Sequence, residues 1–239
     1  MESPSVLYED KDFLAVYKPF GLLTHKTRTG GEEALTDWVL KLRPEIASVG
    51  DSPELRPGLV HRLDKDTSGI ILFAKTQKSF EYLKKLFQDK KITKTYLALV
   101  LGIVKDKSGF IDKPIGLKSG TTKRTTFLKK VKMVKEAKTE YRVLNLLEFG
   151  NEKFSLLEVR PQTGRTHQIR VHLNSIGHPV IGDVLYGGSK NNLKNTRLFL
   201  HAKSLEFTNE SGKRIMVESE LPKDLELVLG ELKPYHLDR

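Results

Sequence analysis

Apolar positions in this chain come in short runs separated by charged or turn-forming stretches. Val6-Leu7-Tyr8 and Phe13–Tyr17 flank Glu9–Asp12 and predict a hairpin. Lys18-Pro19-Phe20-Gly21 ends its second strand, because proline has no N–H to offer a ladder. Ala34–Leu42 reads as a short helix stopped by Arg43-Pro44, and Glu45–Pro57 as loop. Gly58-Leu59-Val60 and Ile70–Ala74 predict two strands on either side of a polar stretch. Thr76 is placed to cap a helix Gln77–Gln88, whose Phe80, Leu83, Leu86 and Phe87 form an apolar stripe opposite a lysine-rich face. Thr95–Val104 predicts a strand, and Gly109–Ile115 loop and short strand. Thr139–Phe149 and Lys153–Arg160 predict an antiparallel pair turning at Gly150-Asn151. Thr166–Ile176 predicts a helix with Gly177 at its end and Pro179 beyond. Leu198–Phe207 and Arg214–Glu218 predict strands, and Leu225–Leu232 a last helix. Strands outnumber helices and are grouped rather than alternating with them. This predicts an α+β fold with a mainly antiparallel sheet. No boundary divides the 239 residues, so a single domain spanning 1–239 is expected.

Charge narrows the partners. Lys plus Arg number 41 against 30 for Asp plus Glu, a net charge of +11, which favours an anionic partner such as nucleic acid. The residues 121–138 concentrate this charge in Lys123, Arg124, Lys129, Lys130, Lys132, Lys135 and Lys138, with Glu136 the one acid among them. The segment reads either as a phosphate-gripping element or as a solvated loop. With no cysteine, disulfides, thiolate metal sites and cysteine nucleophiles are excluded. The start Met1-Glu2-Ser3-Pro4 has no basic and apolar leader pattern, and no apolar run reaches the roughly 18–20 residues of a membrane span. A cytoplasmic protein is expected.

Two clusters carry chemistry. The first is His61-Arg62-Leu63-Asp64-Lys65-Asp66-Thr67-Ser68-Gly69, set between the two apolar runs. Unpaired buried charge is unfavourable, so this is a poor core segment, but it can hold a carboxylate in a positive surrounding. Asp64 could then act as nucleophile or base. Asp64-Lys65-Asp66-Thr67 also suits a simple turn, and the spacing leaves both readings open. The second is Arg160–Leu173, in which Thr163-Gly164 separates a strand from a helix whose N-terminus could take phosphate or carboxylate. Ile169, Leu173 and Ile176 share one face and are expected to pack inward. Arg165, His167, Arg170 and His172 fill the rest, a pattern also typical of a solvated basic face. Tyr96, in Ile92–Ala98, reads from spacing alone as a core tyrosine of a strand. His167 and His172 are five apart rather than four, so a helical metal pair is not expected, and no phosphate-loop or dinucleotide fingerprint is present.

The nine residues His61–Gly69 resemble the motif that carries the catalytic aspartate of the RluA-type pseudouridine synthases. The likeness continues in order through Lys18-Pro19-Phe20-Gly21 with His25, Lys94-Thr95-Tyr96, Arg160–Leu173, Gly182–Gly187 and Leu200-His201-Ala202, about Val6 to Val217. The resemblance implies a curved mixed sheet flanked by helices. It also implies an isomerase that turns uridine of ribosomal or transfer RNA into pseudouridine without metal or cofactor. Asp64 would be the nucleophile, Arg165 its partner, and Tyr96 the face against the base. Arg62 would hold the flipped nucleotide, and His61, Thr67, Ile169 and Leu173 would contact substrate. Relatives often carry a small RNA-binding domain ahead of the Lys-Pro motif. Only 17 residues precede Lys18 here, so a stand-alone, monomeric catalytic domain is expected, with Lys129, Lys130 and Lys132 gripping the RNA backbone. Two rivals are a noncatalytic RNA-binding protein with the same fold and a hydrolase using Asp64 with Asp66.

Overall fold

A computed structural model describes residues 2–26, 32–189, 191–193 and 197–236. In chain order these form β1 Ser5–Glu9, β2 Phe13–Lys18, α1 Leu35–Leu42, a 3-10 turn Pro44–Ser48, β3 Ser68–Ala74 and α2 Gln77–Gln88. There follow β4 Thr93–Leu101, β5 Ser108–Asp112, β6 Ile115–Lys118, β7 Arg124–Thr125, β8 Val131–Lys135, β9 Lys138–Phe149 and β10 Glu152–Pro161. The last elements are α3 Gln168–Ser175, β11 Leu200–Thr208, β12 Arg214–Glu218, α4 Lys223–Glu231 and β13 Lys233-Pro234. This is the expected α+β fold. The chain divides into two compact units, Met1–Lys94 with Ala202–Glu220, and Thr95–His201 with Leu221–Arg239.

In the first unit, β1, β2 and β3 run antiparallel in that order, and β12 pairs with β11. Every residue of β2 and of β3 is buried, as continuous apolar runs require when both faces of a sheet are covered. The buried residues also include Lys18, Ser68 and Gly69. Gly69 sits at φ 122° with the backbone of Ala202 so near that a Cβ would lie 2.3 Å from the Ala202 oxygen, so only glycine fits. Helix α2 starts as expected: the Thr76 hydroxyl accepts from the Ser79 N–H, and Phe80, Leu83 and Leu86 are buried.

In the second unit, β10 lies between β4 and β9, all antiparallel, and β5 and β13 pair with β9. The β9–β10 hairpin turns where expected, with Gly150 at φ 56°, the positive φ that a two-residue hairpin loop needs. Ala98, Leu157, Val159, Ile169, Leu173 and Val180 belong to one core cluster. Leu99, Phe154, Phe199 and Leu225 belong to another.

Four local expectations are corrected. Gly58-Leu59-Val60 is not a strand: Gly58 turns at φ 63°, leaving one bridge from Leu59 to Phe73. Helix α3 begins at Gln168 rather than Thr166, because His167 takes a left-handed φ of 56°. The residues 121–138 are not simply loop. β7 and β8 flank β6 in a separate three-stranded antiparallel sheet. The stretch Glu45–Pro57 holds part of the 3-10 turn Pro44–Ser48.

Candidate active site and nucleic-acid interface

The Asp64 loop is fixed from both sides by the segment that ends β2. Lys18 has no exposed surface. Its ammonium donates to the carbonyls of Pro19, Leu22 and Lys65 at 2.8–2.9 Å. Three carbonyl acceptors match the three N–H donors of a lysine, which is what makes its burial tolerable. The Gly21 N–H also reaches the Lys65 carbonyl at 3.0 Å. On the other side of Asp64, the Thr24 hydroxyl donates to the Leu63 carbonyl at 2.8 Å. Leu63 and Lys65 are thus held through their backbone carbonyls on either side of the half-buried Asp64. The Thr67 N–H closes a turn on the Asp64 carbonyl at 3.1 Å, and Thr67 itself is buried. The turn chemistry read from Asp64–Thr67 is therefore present.

His61 is built into the same loop. Its Nε2 accepts the Leu72 N–H at 2.9 Å and its ring stacks on Phe87 at 4.7 Å. An accepting Nε2 places the ring proton on Nδ1 and excludes the imidazolium. Burial, with the Lys94 ammonium adding to it, accordingly pushes its pKa down to about 3. Burial also lowers Lys94, to about 8. Because the folded pKa of His61 lies below the unfolded value of about 6.5, its contribution to stability is complete above that pH. It is lost as pH falls from there toward about 3. Acidification from pH 7 to 5 should remove about 1–2 kcal/mol through this group. Chemical denaturation at the two pH values should show that loss, and His61→Gln should flatten it. An equal loss in His61→Gln would assign the pH dependence elsewhere. Arg62 is exposed, its Nη1 3.3 Å from His25 Nε2. Burial lowers the His25 pKa, and Arg56 and Arg62 lower it further.

In the second unit a single buried amide organises the loop before α3. Gln168 donates from Nε2 to the Lys138 carbonyl at 2.9 Å and to the Thr139 hydroxyl at 3.0 Å. Its Oε1 accepts from the Thr163 hydroxyl at 2.6 Å and the Arg165 N–H at 3.0 Å. The Arg165 Nε donates to the Glu136 carbonyl at 2.9 Å, so its exposed guanidinium is aimed from the backbone. Ile169, at 6% exposure, and Leu173, at 0%, face the core as their spacing predicts, and Tyr96 packs, half-buried, against the cluster that contains them.

The remainder of that helix differs from a solvated basic face. Arg170 is buried and forms a two-pronged pair with Asp183, Nε to Oδ2 at 2.7 Å and Nη2 to Oδ1 at 2.8 Å. Asp183 also accepts the N–H groups of Leu185 and Tyr186. Tyr186 in turn meets His167 Nδ1 through its hydroxyl at 2.9 Å, and that hydroxyl accepts the Arg124 N–H at 3.0 Å. His172 is buried too, with Nε2 against the Lys113 carbonyl and Nδ1 against the Thr139 hydroxyl. These groups are structural: Gly182–Gly187 supplies the partners of Arg170 and His167, and Lys113 and Thr139 those of His172.

Lys129, Lys130 and Lys132 are exposed on the β7–β8 connection and β8, and among the described residues none makes an ion pair. Phe127, on the same connection, is 75% exposed. Sequence reading passed over Lys18 as a buried residue and Gln168 altogether. The Lys-Pro motif was the available signal for the first, and none marks the second. Asp64, Arg62, His61 and Thr67 lie together in one loop of the first unit, and Tyr96, Arg165, Ile169 and Leu173 lie in the second. Among the described residues no group of His, Cys, Asp and Glu could hold a metal ion, and no helix is long and apolar enough to cross a membrane.

Residues 12–175 match the family model described as RNA pseudouridylate synthase. The chain is similar to "Ribosomal large subunit pseudouridine synthase D" of Borreliella burgdorferi, with 35% identity over 95% of this chain and 68% of that protein. The protein of the same name from Nitrosomonas europaea is 38% identical over 95% of this chain and 65% of its own length. An RNA pseudouridine synthase of Aquifex aeolicus described as uncharacterized is 43% identical over 77% of this chain and 56% of its own. The chain therefore spans between 56% and 68% of the length of these relatives. Among solved structures, human RNA pseudouridylate synthase domain containing 1 aligns over 100% of this chain and 91% of its own at TM-score 0.78 and 26% identity. Human RNA pseudouridylate synthase domain containing 4, at TM-score 0.73 and 24% identity over 95% of this chain and 93% of its own, shares the fold.

Proposed function

Because this chain belongs to the RNA pseudouridylate synthase family, a family of isomerases, we propose that it converts uridine to pseudouridine in the RNA of the large ribosomal subunit. The names of two relatives support that RNA over transfer RNA. The net charge of +11 suits a polyanionic substrate. Residues 1–239 act as one catalytic domain, as a monomer in the cytoplasm and without a cofactor. The reaction breaks the bond from C1′ to N1 of uracil, turns the base, and joins C1′ to C5. C5 gives up its proton and N1 gains one, so substrate and product are isomers.

Asp64 is the nucleophile. The observation that supports this is the backbone clamp on Leu63 and Lys65, which fixes the main chain on either side of Asp64. Reaching a base in paired RNA requires extruding the nucleotide, and the exposed Arg62 suits the space left behind. His61 and Thr67, held by Leu72 and by the turn, shape that loop around the substrate. Arg165 supplies positive charge to the reaction. Tyr96 offers the base a stacking face, and Ile169 and Leu173 back it. Lys129, Lys130 and Lys132 contact phosphates.

Tyr96 tests the stacking role. Tyr96→Phe keeps an aromatic face and should retain most activity. Tyr96→Ala should lose stacking of about 1–3 kcal/mol, or roughly 5- to 150-fold in kcat/KM on a large-subunit RNA transcript. Equal losses in both folded variants would transfer the role to the hydroxyl.

A further inference from the structure

The small sheet β6–β7–β8 contains an irregularity that sorts its charges. Leu117 pairs with Lys132 and Ile115 with Lys135, so two steps along β6 correspond to three along β8. Residues three apart on a regular strand face opposite ways. The bulge, with Met133 at φ 53°, absorbs the extra residue and returns Lys132 and Lys135 to one face. Leu117 also pairs with Arg124 on its other side, so Arg124 joins the same face. A left-handed methionine is an uncommon conformation, and here its consequence is a row of cations.

Beside this row lies a cavity of about 210 Å³ lined by Ile115, Arg124, Met133, Lys135 and the stretch Gly164–Thr166. Its charged lining is Arg124, Lys135 and Arg165, and no carboxylate borders it. Glu136 is the neighbouring acid in sequence, and among the described residues it forms no salt bridge with these cations. The Nε of Arg124 is buried with no hydrogen-bond partner, the one such side-chain atom among the described residues. A buried donor of a charged group left unpaired is unfavourable and rare, and it points to an acceptor that arrives with a ligand. The strand that carries it is fixed in advance, since the Arg124 N–H is held by the Tyr186 hydroxyl, and Tyr186 by the Asp183 network.

We propose that this cavity is a seat for one phosphodiester of the bound RNA, held by the Arg124 guanidinium and the Lys135 ammonium. The inference rests on the RNA-modifying reading above and deepens it. It moves the principal phosphate contact from the exposed lysines of the β7–β8 connection to a preformed pocket. A guanidinium with a free Nε edge suits the paired oxygens of a phosphodiester, and Lys135 adds a point charge.

The test is the salt dependence of binding to a large-subunit ribosomal RNA transcript. The proteins compared are wild type, Lys135→Gln, Arg124→Gln/Lys135→Gln, and a charge-matched control, Lys105→Gln/Lys107→Gln. Lys135 is exposed, so its single variant keeps the test valid should the double variant melt early. Each lost phosphate contact should flatten the log–log slope by about 0.7–0.9, so emptying the seat in the double variant should cost about one such step and Lys135→Gln alone part of it. The control should keep the wild-type slope. Inorganic phosphate at millimolar concentration should not compete, which separates an RNA backbone seat from a free-anion site. Strong competition by phosphate overturns the assignment to RNA. Wild-type binding with unchanged slopes in the seat variants, or an equal drop in the control, overturns the seat and leaves the enzymatic reading standing. Absence of RNA binding by the wild type overturns both.

Discussion

Asp64→Asn is expected to make no detectable pseudouridine while remaining folded and bound to RNA. The amide has nearly the shape of the carboxylate and can still accept a hydrogen bond. The loop is held by Lys18, Thr24 and Gly21 through the backbone of Leu63 and Lys65, so its fold should survive the substitution. What is lost is the anionic oxygen that attacks. RNA affinity should stay equal or rise slightly, because most of it comes from phosphate contacts and a negative charge has been removed. Product formation and RNA binding measured on the same preparation, with circular dichroism as the folding check, separate these effects. Substantial product from the folded variant would remove Asp64 from the mechanism.

The second large effect is on stability. Asp183→Ala should destabilise the second unit by about 3–5 kcal/mol, because it strands a buried guanidinium. Arg170 and Asp183 expose 4% and 0% of their side chains, so the pair is shielded from bulk water. Two backbone N–H groups, of Leu185 and Tyr186, lose their acceptor as well. Replacing both charges together, Arg170→Met with Asp183→Leu, should recover much of the loss, since apolar pairs of similar volume often match a buried ion pair. Denaturant titration of the wild type and the two variants provides the measurement. A single variant within about 0.5 kcal/mol of wild type, the range of ordinary surface changes, would show that the pair is not held as described.

What could be read from the sequence follows from which interactions are local. Strands β2 and β3 were legible because an unbroken apolar run between turn residues has few other uses. Helix α2 was legible from Thr76 and the stripe Phe80, Leu83 and Leu86, and the β9–β10 turn from Gly150-Asn151. The sheet β6–β7–β8 was not. Most of its residues are polar or exposed, so no burial pattern marks the strands, and its bulge breaks the alternation that would have shown the rest. Arg170 and His172 read as solvated because their partners, Asp183, Thr139 and Lys113, are supplied by tertiary structure. Asp64 stood out only as a charged cluster between apolar runs. The reason it can be held there, a buried lysine bonded to three carbonyls, involves a residue 47 positions from the neighbouring Lys65. The roles assigned to Asp64, Tyr96 and Arg165 came from the motif resemblance, since spacing alone left each with an ordinary structural reading.

The most direct test of the account is to incubate the purified wild-type protein with an unmodified transcript of large-subunit ribosomal RNA, without added metal or cofactor, and to map pseudouridine along it. The account expects pseudouridine at discrete positions, with no free uracil released and no product from Asp64→Asn. A folded wild-type protein that binds the transcript but forms no pseudouridine, or that releases uracil instead, would contradict it.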